Sequence, residues 1–252
     1  MILPGLLAGF PLLAAIIVFF LKGEREQNVV VKLSSAITIV LSLAVTAVYF
    51  GHPGLLPFMG AGMTHFMLAI DMVTAAAILY FTIIKYKRYW IGLLAAVQSG
   101  LILWFEYVKG GEISVFSNFS VDNFTLIMVL IAGIIGSLIA VFSLGYMEEF
   151  HKEHPDVADR RPFFFFVIFL FLAAMFGLVL SNNLLFMYAC WEVTSFCSFL
   201  LIGYTGTKEA IHNSFEALWM NLLGGLAFAL AIVWLGFQYE TVELSMLLNL
   251  GR

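Results

Sequence analysis

The sequence predicts an all-α fold: a polytopic integral membrane helical bundle of about eight transmembrane helices, with both termini non-cytoplasmic. Three observations lead there. The composition is 62% hydrophobic and 11% charged with a mean hydropathy of +1.02, far from soluble globular usage. Apolar runs recur at lengths of about 20 residues without period-two alternation, which excludes a transmembrane β-barrel and leaves helices to satisfy the backbone in lipid. Lys and Arg alternate in side: Lys22, Arg25, Lys85, Lys87, Arg88, Lys152, Arg160, Arg161 and Lys208 collect on one, and only Lys109 and Arg252 on the other. That asymmetry marks the first side as cytoplasmic and supports an even number of spans.

In chain order the predicted spans cover residues 2–21, 29–50, 66–85, 89–108, 122–146, 163–181, 183–204 and 214–237. The first starts at Met1 without a cationic leader or a small-residue cleavage site, so a retained helix is expected rather than a signal peptide. Charges and turn residues separate the spans: Lys22-Gly23-Glu24-Arg25, His52-Pro53-Gly54, Lys85-Tyr86-Lys87-Arg88, Gly110-Gly111, the polar loop from Glu148 to Arg161, and Thr205-Gly206-Thr207-Lys208. Ser181-Asn182-Asn183 joins the sixth and seventh spans by a very short turn. Lys32, one turn inside the second span, is read as snorkelling to the interface.

Some function classes drop out on composition. A net charge of −4 and the absence of a basic face argue against nucleic-acid binding. Cys190 and Cys197 are seven residues apart on one predicted helix, about 10.5 Å along its axis, too far for a disulfide. With no CxxC pair for zinc or an iron–sulfur cluster, both are expected to be small buried apolar residues. No cofactor, metal or catalytic centre is expected in this chain, and any redox chemistry is expected in other chains.

The seventh span carries the strongest functional signal. Glu192 falls near the middle of a helix about 33 Å long, where a carboxylate costs about 2.5–3.5 kcal/mol. Tyr188, Glu192 and Ser195 follow at i, i+4 and i+7, so they share a face and are expected to form a polar seam. Thr194 and Ser198 add hydroxyls beside it, although close helix packing accounts equally well for Ser195 and Ser198. The eighth span opens with Lys208 and Glu209, then His212 and Glu216 at i and i+4. Histidine titrates near neutrality, so this group suits passing protons between cytoplasmic water and an internal acid, and equally suits an ordinary helix start. Asp71 and Glu106 lie within about two turns of the outer surface and are read as solvated helix-end acids. Asp122 is read as an N-terminal acid facing a helix dipole.

The run Asn183-Leu184-Leu185-Phe186-Met187-Tyr188, Trp191-Glu192 and Cys197-Ser198-Phe199-Leu200-Leu201-Ile202-Gly203-Tyr204 resembles the antiporter-like subunits of respiratory complex I, multisubunit Na+/H+ antiporters and membrane-bound energy-converting hydrogenases. Val121-Asp122-Asn123-Phe124-Thr125, Gly145-Tyr146-Met147 and Asn221-Leu222-Leu223-Gly224-Gly225 fit the same pattern, so the resemblance covers residues 121 to 245. It implies a division into 1–120, four N-terminal membrane helices, and 121–252, the first part of an antiporter-like proton-translocation module with four helices and a short tail. Residues 60–110 are unlike the family, which has two spans before the Val-Asp motif where this chain has four. Many relatives also carry a lysine where this chain has Glu216.

The resemblance implies that Glu192 is the glutamate of the family's first half-channel, working with a lysine on a later broken helix that would lie beyond Arg252. The implied function is proton translocation, with H+/Na+ exchange as a variant, by a membrane subunit of a multisubunit redox-driven complex such as a membrane-bound hydrogenase or a complex I relative. The implied partners are other membrane subunits, peripheral iron–sulfur, hydrogenase or quinone-reductase subunits, H+ and Na+, and the lipid bilayer of a prokaryotic inner (cytoplasmic) membrane. A non-conducting structural anchor is the alternative. A stand-alone solute transporter fits less well, because the Trp-Glu stretch has no internal repeat.

Overall fold

The computed structural model describes residues 2–21, 23–56, 62–110, 113 and 115–250, and of 62–65 the backbone alone; Met1, Lys22, Gly111 and Arg252, used in the charge count or span boundaries, lie outside the described residues. Among the described residues, eight stretches are long and apolar enough to cross a membrane. They comprise α1 (Ile2–Phe20), α2 (Glu24–Tyr49), α3 (Gly62–Leu79) continued by a π turn at Tyr80–Lys85, α4 (Tyr89–Lys109), α5 (Asn123–Leu130) running through a π turn (Ile131–Ile135) into α6 (Gly136–Glu153), α7 (Arg161–Leu180), α8 (Leu184–Ile202) and α9 (Lys208–Tyr239). A short α10 (Leu244–Leu250) follows, and two three-residue strands, β1 (Gly54–Leu56) and β2 (Phe119–Val121), lie in the connections. The all-α, multi-pass membrane fold expected from the sequence is therefore the fold found.

The largest boundary differences are at α6, which ends at Glu153, seven residues past the expected end, and at α9, which begins at Lys208, six residues before the expected start, and runs for 32 residues. At 1.5 Å per residue this is about 48 Å, well beyond a hydrocarbon core of about 30 Å. The physical reason is a cap: the Thr207 hydroxyl accepts the Ala210 N–H at 3.2 Å and starts the helix in the polar segment. Asp122 does the same for α5, accepting the Thr125 N–H at 2.7 Å, which is the structural role expected of it.

The chain forms two compact units interleaved along its length. One comprises residues 1–54, 121–180 and 197–214; the other comprises 55–120, 181–196 and 215–252, so α8 and α9 each contribute to both.

In the first unit α1 packs on α7 and α2, and α2 on α6. Lipid tails are as apolar as leucine, so close approach rather than hydrophobicity drives such packing. Gly133, inside the π turn, sits where any Cβ would overlap the Ser42 side chain, which makes glycine a requirement there. Three hydroxyls of α2 bond within their own helix: Thr38 donates to the Ser34 carbonyl at 2.8 Å, Ser42 to Thr38 at 2.9 Å and Thr46 to Ser42 at 2.9 Å. At one end of the unit the Arg161 guanidinium pairs with Asp159 and Glu24. Its hydrogen bond holds the Asp159 carboxyl below the ordinary carboxylate range, while burial pushes the Tyr204 phenol up.

In the second unit a core of Ile102, Phe105, Leu184, Tyr188, Ala229, Ile232 and Val242 joins α4, α8 and α9. The very short turn before α8 is pinned by main-chain bonds: Asn182 N–H to the Asn118 carbonyl (2.7 Å), Leu184 N–H to Val242 (2.9 Å) and Leu244 N–H to Asn182 (2.8 Å). Glu243, 1% exposed, completes this clasp by accepting the Phe116 N–H, the Ser117 N–H at 3.2 Å and the Asn182 side-chain amide at 3.3 Å. Backbone groups withdrawn from water need such partners, and a membrane-edge turn lacks helical ones.

Candidate functional site in the second unit

α8 is apolar around most of its surface, and Glu192 is the ninth of its 19 residues, about 12 Å along it. The carboxyl is 2% exposed. Its Oε1 accepts two hydrogen bonds, from the Tyr188 hydroxyl at 2.8 Å and from Gln98 Nε2 at 2.5 Å. Tyr188, fully buried, reaches it because i and i+4 on one helix stack on the same face. Gln98, 1% exposed, comes from the middle of α4. Gly225 on α9 leaves the space this amide occupies: a Cβ there would stand 2.9 Å from Gln98 Oε1.

A second acid completes the group. Asp71 on α3 is 2% exposed and lies within hydrogen-bonding reach of the Glu192 carboxyl. The solvated-end reading of Asp71 is thus corrected: five residues inside its apolar span, it faces the interior of the unit rather than water. Glu106, near the end of α4, is half-buried and lines a small cavity with Asp71 and Tyr188. The acceptors outnumber the donors. Glu192 Oε2, both Asp71 oxygens and Gln98 Oε1 are buried without a hydrogen-bond partner.

The other residues singled out in the sequence lie elsewhere. Ser195 shares the face of Tyr188 and Glu192, but its hydroxyl donates to the Trp191 carbonyl at 3.0 Å, a bond within its own helix. Thr194 does likewise at 2.8 Å. Lys208, His212 and Glu216 stand exposed on the first three turns of α9, the first two in the first unit and Glu216 in the second. The recorded partners of Glu192 are Tyr188, Gln98 and Asp71. Cys190 and Cys197 are buried free thiols. Among the described residues, no three His, Cys, Asp or Glu side chains converge on a possible metal position.

Sequence reasoning overlooked Gln98, although a signal was present: an amide at the centre of the Leu93–Leu103 stretch, whose only other polar side chain is Ser99, is as anomalous, on a smaller scale, as Glu192. Gly225 was noted only as part of a motif. Its spatial reason is the Gln98 amide.

Two family models match the chain: "NADH-Ubiquinone oxidoreductase (complex I), chain 5 N-terminus" over residues 104–156, and "NADH:quinone oxidoreductase/Mrp antiporter, TM" over residues 181–251. Glu106 falls in the first and Tyr188, Glu192, Gly225 and Glu243 in the second; Asp71 and Gln98 fall outside both. The chain is 29% identical over 168 residues to a Na+/H+ antiporter subunit A1 of Staphylococcus haemolyticus, covering 64% of this chain and 19% of that protein. It is 30% identical over 129 residues to the Na+/H+ antiporter subunit A1 of Staphylococcus aureus, covering 51% of this chain and 15% of that protein. The matched stretch thus spans less than a fifth of the length of these relatives.

Proposed function

We propose proton translocation within a multisubunit, redox-driven membrane complex, with Glu192 as the central proton-carrying group; the similarity of two segments to antiporter-like subunit models supports this reading. One observation carries this reading: a carboxyl half-way along an apolar membrane helix, buried, and oriented by Tyr188 and Gln98 through a single oxygen. A structural carboxylate would engage both oxygens, whereas Glu192 keeps one without a donor. An acid that gains and loses a proton needs such a free oxygen, because the proton must arrive on it.

Lys208, His212 and Glu216 form the uptake group in this reading. Their exposure at the start of α9, on the side that the Lys and Arg count makes cytoplasmic, fits exchange with water. The chain would then lie in a prokaryotic cell membrane with both termini outside the cytoplasm, exchange H+ alone or H+ for Na+, and couple to hydrogenase-like or quinone-reductase-like partner subunits. The counts of the two named relatives as Na+/H+ antiporter subunits support an ion-exchange variant.

The test is Glu192→Gln in the assembled complex, reconstituted in proteoliposomes with a pH-sensitive dye inside. Proton flux is expected to fall about 100-fold, the scale on which proton-transfer groups act, with subunit composition unchanged. Wild-type flux from an assembled Glu192→Gln complex would falsify the reading.

A further inference from the structure

We propose that Asp71 and Glu192 hold one proton between them, making Asp71 a further proton-carrying residue that leads from Glu192 towards the Lys109 end of α4. This rests on the reading of Glu192 as a proton carrier. It assigns a task to a residue that neither matched segment contains.

A count of donors makes the case. Glu192 Oε1 is fully used by Tyr188 and Gln98. Glu192 Oε2 and both oxygens of Asp71 are buried with no donor, although the two carboxyls are within hydrogen-bonding reach of each other. The groups acting on the two acids are one another, Tyr188 and Gln98, with no cation among them. Two ionised carboxylates so placed would repel each other in a medium of low dielectric, with three oxygens left unsatisfied. A single proton removes one charge and supplies the missing donor: the protonated carboxyl donates an O–H to the other's carboxylate. Transfer along that bond breaks one O–H and forms another, and needs no further reactant.

Beyond Asp71 the route continues. A cavity of about 10 Å³ lies against Asp71, Tyr188 and Glu106, its remaining walls apolar. That volume is at the threshold for one ordered water, which has carboxyl and hydroxyl partners there. Glu106 stands two turns along α4 from Gln98 and three residues before Lys109, at the helix end. The helix pair α3–α4 would therefore supply a branch of the proton path and not merely anchor the chain.

The experiment uses the whole complex in proteoliposomes, with proton flux read beside the infrared C=O band of buried protonated carboxyls. Asp71→Asn keeps the size and hydrogen-bonding capacity of the protonated acid. It is expected to assemble normally, lower flux about 100-fold and remove the band, and Asp71→Glu is expected to restore both in part. The double variant Asp71→Asn/Glu192→Gln is expected to be no slower than Glu192→Gln alone. Normal flux and an unchanged band in Asp71→Asn, with Glu192→Gln inactive, overturns the shared proton while leaving Glu192 as the carrier. Normal flux in Glu192→Gln overturns both. If Asp71→Asn does not assemble, the wild-type spectrum decides: no protonated buried carboxyl near neutral pH overturns the proposal.

Discussion

Glu243 and Glu192 are both buried glutamates of the same unit, 1% and 2% exposed, yet their surroundings are opposite. Glu243 is surrounded by donors: two backbone N–H groups and the Asn182 amide engage both of its oxygens. Glu192 has donors on one oxygen only, with a second acid on the other side. Burial alone thus does not distinguish a working acid from a structural one. On the proposed reading, what separates the two is the balance of donors to acceptors around each carboxyl.

The contrast can be broken most directly by Glu243→Gln set beside Glu192→Gln. The Glu243 variant turns an amide NH2 towards the Asn182 donor or the loop N–H groups, at a cost of about 1–3 kcal/mol. It is expected to lower the thermal midpoint in detergent while leaving flux per assembled complex unchanged, the reverse of Glu192→Gln. Equal flux losses in the two variants would show that donor balance does not separate them.

A smaller effect sharpens the Glu192 side. Gln98→Leu removes one donor from Oε1 and leaves Tyr188 to orient the carboxyl. A hydrogen bond to a charged group contributes about 1.5–3 kcal/mol, so a flux loss of about tenfold is expected, short of that for Glu192→Gln. Measured with the same dye assay, unchanged flux would mean that Tyr188 alone positions the acid.

The smallest effect concerns a surface acid. Arg161 depresses the folded-state pKa of Asp159, so this pair stabilises the protein above the ordinary Asp value, about 3.9, and the contribution is lost as the pH falls through the lower folded value. Asp159→Asn is expected to flatten that part of a stability-versus-pH profile slightly, since the pair is half-exposed and worth little. A steeper acid transition in the variant would contradict the sign.

Part of the site was legible because its signals are local. Tyr188 and Glu192 are four residues apart on one helix, so helical geometry alone predicts that they meet. The same rule put Ser195 on their face but could not show that its hydroxyl would bond the Trp191 carbonyl, since both outcomes satisfy a buried hydroxyl equally. Asp71 was misread for a different reason. Distance from a span end estimates depth, but which side of the helix turns inward depends on what packs there, and α3 carries too little polar contrast to say.

The sequence by itself determined the membrane class, the eight spans and the placement of a carboxyl in mid-membrane. These depend on composition, run length and helical rise, which act within one segment at a time. Only the tertiary structure decided that Gln98 and Asp71, 94 and 121 positions before Glu192, would become its neighbours, and that Glu243 would be clasped instead. Hydrogen-bond balance inside a bundle belongs to several helices at once, and no single helix records what its neighbours will offer.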